Sequence, residues 1–417
     1  MKIAPVLVFA FLSLQSYTQD LAHITVFSGD VDRLNCPISV DLGQISYNED
    51  NGALILVEEL NRKEIPVSCQ VETGHLYTLW FILSGETKKG ESRNFVIRQN
   101  KGEQADSPFE LIHNGGKLEL SQMGRPVLNY QFGTVYPPEG VDPLFRRSGF
   151  IHPLWSPGGH VLTRIQAPDH YHHYGIWGPW TMTHINGREV DFWNLMKGQG
   201  TVRFAGMLSE VAGPVYSGYK ALQEHIDFGA RGEDQVAINE ILDVRVWNID
   251  DGNVWLIDYT STLNTPIDSG IMLDAYRYGG GIGFRANELW HKDNSSILTS
   301  EIMDRLTADG TKARWCIVEG ESGSEQGRSG ILFMGHTANR EFPEPMRVWP
   351  VDANGGRGDM FFEFCPIRHN NWMLNSGKNY TLKYRMLVFD GTISAEIAEM
   401  YWQGFAHPPK VVIRDIK

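Results

Sequence analysis

At 417 residues, with 42% hydrophobic and 21% charged side chains, the chain suits one large or two unequal domains and is too apolar to be disordered. Thirty-seven Lys and Arg stand against 50 Asp and Glu, a net charge of −13 that argues against nucleic-acid and polybasic membrane binding. An acidic ligand held by a few local arginines remains allowed, and 12 Trp with 15 Tyr supply flat faces that suit sugar rings as well as cores.

Lys2, the apolar run 3–14 and the small polar stretch 15–18 predict a secretory signal over residues 1–18, and so a periplasmic or secreted protein. That run is too short to stay in a bilayer, and no later stretch reaches about 18 apolar residues, so no membrane span is expected. Residues 23–27, 53–58, 77–83 and 94–98 are short β-rich runs parted by turn residues such as Asn51 and Gly52, predicting a small immunoglobulin-like sandwich over 19–104. The charged stretch 101–107 reads as a linker.

From 105 to 417 the pattern predicts a large antiparallel β-sandwich. Runs 109–113 and 118–120 flank Asn114, Gly115 and Gly116, and runs 236–248 and 254–263 flank Asp250, Asp251 and Gly252, both as hairpins. The run 379–389 alternates, and no β/α alternation occurs, which disfavours a parallel barrel. One short C-terminal helix is predicted, with Ile393, Ile397, Met400 and Tyr401 on one face. Four cysteines in an exported chain allow three pairings, with Cys36 to Cys69 and Cys316 to Cys365 preferred and buried free thiols as the alternative.

Chemistry concentrates between residues 152 and 184, which hold six of the 14 histidines. Asp169, His170, Tyr171, His172, His173, Tyr174 and Gly175 run in sequence, with Trp155, Trp177, Trp180 and Trp193 nearby. Imidazoles beside a carboxylate give proton donors and acceptors near neutral pH, or metal ligands. In a plain strand His170 and His172 would face one side and His173 the other. Adjacent histidines seldom ligate one ion, so acid–base chemistry is preferred and neither metal nor other cofactor is expected. The glycine-rich stretch 274–285 lacks the Lys and Ser/Thr of a phosphate loop, but places Arg277 and Tyr278 where they could clamp a carboxylate or sulfate. Glu363, among Phe361, Phe362 and Phe364, would become a general acid or base if buried. His336 completes the set of candidate substrate contacts with Trp155, Trp177, Trp180, Arg277 and Tyr278, while His170, His172, His173 and Glu363 are the candidate catalytic groups.

The runs 136–143, 146–157 and 169–177, together with Asp191, Phe192 and Trp193, and the ending Val388, Phe389, Asp390 and Gly391, resemble the domain-of-unknown-function family labelled methane-oxygenase-PmoA-like, over roughly 108–405. Tyr171 stands where that pattern usually has Pro, and Tyr174 where it often has Arg. Membrane methane chemistry needs spanning helices, which this sequence lacks. The resemblance implies instead a galactose-mutarotase-like β-sandwich, shared with aldose epimerases and with domains of polysaccharide-degrading enzymes. The expected function is an exported carbohydrate-active enzyme, a hydrolase or lyase working on an acidic or sulfated oligosaccharide. A sugar epimerase or a non-catalytic glycan-binding protein are the alternatives.

Overall fold

Strands carry the fold of the computed structural model, which describes residues 19–100, 106–229 and 233–416. The expected signal over 1–18 and the linker residues 101–105 lie outside the described residues. As the sequence predicts, the chain is all-β: a small sandwich is followed by a large antiparallel one, and a short helix, Ala395–Ala406, lies near the C-terminus.

The small sandwich packs a five-stranded sheet on a three-stranded one. In Gln19–Phe27, Ile24 and Val26 turn inward and His23 turns out, the period-two pattern that lets one face join Ile38, Leu56, Phe81, Phe95 and Ile97 in a core. Its edge strand comes from the far end of the chain, where Lys410–Asp415 pairs antiparallel with Gln19–Phe27. The predicted boundary at 104 therefore does not hold all of this sandwich. Pro408 and Pro409 end the helix and send the chain back into that sheet.

None of the expected disulfides forms; all four cysteines are free and buried. Cys36 and Cys69 lie on the two strands flanking Thr78–Thr87, opposite Leu83 and Phe81, and a whole strand separates them. Cys316 lies in the eight-stranded sheet and Cys365 directly after Phe361–Phe364 of the nine-stranded sheet.

The large body stacks these two sheets. Val244, Val246, Ile257, Phe333 and Val388 of the eight-stranded sheet meet Ile151, Ile176, Phe284, Phe362 and Phe364 of the nine-stranded one. The opposite face of the eight-stranded sheet, with Leu256, Leu332 and Leu387, is covered by the helix and by Ile82 of the small sandwich. The helix buries Ala398, Tyr401, Trp402 and Ala406; of the predicted face Tyr401 is buried and Ile393 and Ile397 pack part-buried against the same core. It is wedged between sheet and small sandwich, where Trp402 Nε1 donates to the Gly335 carbonyl at 3.0 Å and Gly404 lies against Cys36. Ser394 caps its start by accepting from the Ile397 amide.

Candidate functional site

The site lies on the second face of the nine-stranded sheet, the one turned away from the inter-sheet core. Strand alternation puts it there. In Phe361–Phe364, Phe362 and Phe364 enter the core, so Phe361 and Glu363 must project from the other side. The same parity lifts Arg347 from Glu344–Val348 and Arg285 from Ile282–Arg285. Register then sets a row across the sheet, with Arg347 opposite Glu363, Glu363 opposite Gly283 and Gly283 opposite Trp177. Above this row Trp177, Trp193, Trp349 and Phe361 form an aromatic floor.

On that floor rests the hairpin of Ile165–Ala167 and His170–Tyr174. Ile165 pairs with Tyr174 and Ala167 with His170, so three residues of one strand oppose one of the other. This bulge overrides the alternation expected of a plain strand and brings all three histidine rings together. His170 stacks on His173 at 4.8 Å between centroids, and His172 lies edge-on to them at 5.3 Å and 5.0 Å. One ring nitrogen from each lies within 4.8 Å of the other two. Gly175 ends the hairpin at φ +67°, where a Cβ would collide with the Ile151 carbonyl oxygen.

The rings are fixed from outside. Asp169 accepts from His170 Nδ1 at 2.9 Å, while Arg285 Nη2 donates both to Asp169 at 2.8 Å and to Asp359 at 2.7 Å. Burial alone would raise Asp169; the His170 bond and the Arg285 charge outweigh it and hold the carboxyl well below the usual range. Burial, aided by repulsion from His170, pushes His172 down to about 4, and burial lowers His173 far below an ordinary imidazole. Both are therefore unprotonated at neutral pH. Trp193 stacks on His173 at 5.5 Å and donates from Nε1 to the His172 carbonyl at 2.9 Å. Trp193 is held in turn by Asp191, which accepts from the Trp193 amide at 3.0 Å, the Asn194 amide at 2.8 Å and Thr181 Oγ1 at 2.8 Å.

Tyr278 closes one side, its ring 5.2 Å from Trp193. Its hydroxyl oxygen accepts from Arg347 Nη2 at 2.9 Å and from Trp349 Nε1 at 3.1 Å. The Trp349 ring lies 4.7 Å from His170, so one indole touches both the phenol and the histidine cluster. Arg277 is exposed, sits over the Tyr278 ring at 5.4 Å and has no acidic partner among the described residues.

Of the residues predicted from sequence, His170, His172, His173, Trp177 and Tyr278 share this site, with Arg277 at its rim. Several others have different places. Glu363 is sealed from solvent; Oε1 accepts from the Gly279 amide at 2.5 Å, Oε2 has no partner, and burial pushes the carboxyl well up. It anchors the turn after Tyr278 from beneath and offers no surface to a substrate. Trp177 and Trp180 are each only 1% exposed, so neither offers a face for stacking. Trp180 sits in the inter-sheet core against Trp372, on the same side as Ile176 and opposite to Trp177. Trp155 makes no ring contact with the cluster among the described residues. It pairs by backbone with Val127 and bridges to Val161. His336 is on the far side of the eight-stranded sheet, against Phe405 in a cleft of about 600 Å³ shared with the small sandwich. Sequence reasoning passed over Asp359, and it held Arg285 only as the end of the glycine-rich stretch and Asp191 only as part of the family pattern; their roles come from partners distant in the chain. Asp169 and Trp193 were in view but without their orienting tasks.

A family model described as a family of unknown function, DUF6807, matches residues 117–403. No protein of curated function matches the sequence. Among solved structures the chain is similar to a protein in the glycosyl hydrolase family 38 from Enterococcus faecalis, at 9% identity and a TM-score of 0.45, covering 95% of this chain and 47% of that one. It is similar also to an alpha-mannosidase from Enterococcus faecalis V583, at 9% identity and a TM-score of 0.45, covering 95% of this chain and 46% of that one. The chain spans about half the length of either.

Proposed function

The chain belongs to the family of unknown function DUF6807, and we propose that it is an enzyme modifying an acidic oligosaccharide by proton transfer at a ring carbon, through elimination or epimerisation. The observation that carries this reading is the Tyr278 hydroxyl. Arg347 and Trp349 occupy both lone pairs of its oxygen, which leaves the O–H to donate, while Trp349 also touches His170 and burial keeps the neighbouring His172 and His173 unprotonated.

An acid and a base are thus paired without a carboxylate couple. Hydrolysis between two carboxylates needs both of them facing the scissile bond. Asp169 is tied to His170 and Arg285, Asp309 to Arg347 and Arg368, and Glu363 is sealed. For elimination the histidine side of the site takes the proton from the acidic C–H. The electron pair forms the C=C bond as the C–O bond breaks, and Tyr278 protonates the departing oxygen. Arg277, exposed and without an acidic partner among the described residues, would meet the carboxylate or sulfate that makes this C–H acidic. Tyr171 and Tyr278, both part-exposed, provide the aromatic surface for the sugar in place of Trp177 and Trp180.

The proposal places the protein in the periplasm or outside the cell, on the sequence of residues 1–18 alone. It assigns the small sandwich, read as immunoglobulin-like, a structural or docking role. The methane-oxygenase label carries no part of it.

The test is to incubate the full chain with uronate-containing and sulfated oligosaccharides and weigh the products. Fragments summing to the substrate mass support elimination, and unchanged mass with altered retention supports epimerisation. Added water overturns the reading. Tyr278→Phe is expected to bind but not turn over, and Arg277→Ala to raise KM with less change in kcat. Binding by wild type with no product from any sugar would make this a glycan-binding protein instead.

A further inference from the structure

We propose that His170, His172 and His173 together hold one divalent first-row transition-metal ion of the zinc class. From the sequence a metal is the weaker reading of these rings, since adjacent histidines on a regular strand point apart. The bulge opposite Gln166 removes that objection by turning three rings, from four consecutive residues, onto one point. Ligand nitrogens within 4.8 Å of one another are close to what an ion needs. Bonds of about 2.0 Å in tetrahedral geometry bring nitrogens to roughly 3.3 Å apart, a movement small rotations of the rings supply.

Four features point the same way. Asp169 accepts from His170 Nδ1 at 2.9 Å, the carboxylate–histidine pairing that fixes a ring and leaves its Nε2 free to ligate. Arg285 pins Asp169 at 2.8 Å, so this orienting carboxylate is itself held. His173 is only 1% exposed, and its Nδ1 has no hydrogen-bond partner, an unmet need in a wall of Trp177, Trp193, Trp349 and Phe361. Finally, the donor set is imidazole alone, with neither thiolate nor free carboxylate, and so it selects zinc, copper, nickel or cobalt over calcium or magnesium.

Three protein ligands leave a position for water or a substrate oxygen. The basic side of the proposed reaction would then be an ion-bound hydroxide. The inference uses the same rings as the proposed function and deepens it, but zinc binding can be measured without any sugar.

The full chain is stripped with a chelator, then titrated with Zn²⁺ by calorimetry and with Co²⁺ by visible absorption. One Zn²⁺ per chain and the intense visible bands of a low-coordinate Co²⁺ site are expected. His170→Ala and His172→Ala should each abolish both, and Asp169→Asn should weaken binding roughly 10- to 100-fold. His113→Ala, at an exposed residue paired with Glu210, should bind as wild type. His170 and His172 are only part-buried, so their variants keep the test decisive if His173→Ala does not fold. Absence of Zn²⁺ binding by wild type overturns the inference, as do His170→Ala and His172→Ala chains that bind normally. Zinc binding with no sugar changed leaves it standing and fells the proposed function. Sugar turnover by a chain that binds no zinc does the reverse.

Discussion

Glu344 sits where a charge is hardest to keep. It begins the strand Glu344–Val348, and its parity with Met346 and Val348 sends it into the core between the two large sheets. Its carboxyl meets only the Tyr384 hydroxyl at 2.8 Å and Asn339 Nδ2 at 3.0 Å, with no cation among the described residues. Burial raises it from 4.5 to about 8, and the two hydrogen bonds recover only part of that penalty. A carboxyl whose folded pKa exceeds its unfolded one costs nothing below the unfolded value, where both states are protonated. As pH rises through 4.5 the unfolded chain loses its proton while the folded chain keeps it, so stability falls until about pH 8 and then levels. At roughly 1.4 kcal/mol per unit, less the rounding near each pKa, wild type should lose up to about 3.5 kcal/mol between about pH 5 and pH 8. Glu344→Gln keeps the shape and the contacts with Tyr384 and Asn339 but cannot titrate. Urea unfolding of both chains at about pH 5, 6.5 and 8 yields the difference between them, in which the other titrating groups cancel. That difference should move towards the variant by up to about 3.5 kcal/mol as pH rises. A difference constant to within about 0.5 kcal/mol would refute the assignment of Glu344 as a neutral, buried acid in this range.

Three further outcomes follow from particular contacts. Gly175→Ala places a Cβ against the Ile151 carbonyl at positive φ, and should lower the thermal midpoint by the equivalent of more than about 1 kcal/mol and loosen the histidine hairpin; an unchanged midpoint would contradict it. Trp177→Ala should cost about 3–5 kcal/mol in urea unfolding, because the ring is buried; normal stability with lost sugar binding would instead make it a stacking face. Arg285→Met leaves Asp169 and Asp359 without their shared cation and should destabilise by about 3–5 kcal/mol near neutral pH, less in acid where the carboxyls protonate; a pH-independent cost would refute the charge account.

Much of the architecture is legible from local pattern. Phe361, Phe362, Glu363 and Phe364 alternate, and that alternation alone assigns two side chains to the core and two to the site face. The turns at Gly115–Gly116 and at Asp250–Gly252 join strands close to their predicted limits. What could not be read is whatever depends on partners remote in sequence. Nothing near Lys410 says that its strand will pair with Gln19–Phe27. The histidine run was visible as a cluster of chemistry. Its convergence was not, because a bulge is defined by the partner strand, and Ile165–Ala167 carries no signal that it will oppose three residues with one. Glu344 went unnoticed for the same reason: its isolation is a property of the closed sandwich.

The two faces of the nine-stranded sheet divide the work. Stability rests on Ile151, Ile176, Phe284, Phe362 and Phe364 beneath, and chemistry on the side chains that alternate with them. Loops deliver the remaining parts from segments far apart: Asp169 to Tyr174, Asp191 to Asn194, Arg277 to Gly279, and Trp349 with Asp359. These meet only when the sheet has closed, since Arg285 must bind Asp169 and Asp359 at once, and Asp191 must reach Thr181 as well as the Trp193 amide. The imidazoles are therefore preorganised by long-range contacts. A substitution on the site face can remove chemistry while leaving the core intact, whereas a substitution at Arg285 or Asp191 should weaken both together. Comparing Tyr278→Phe with Arg285→Met in the same unfolding and turnover assays separates the two classes. Loss of turnover at full stability in the first, and joint loss in the second, is the pattern this division of faces requires.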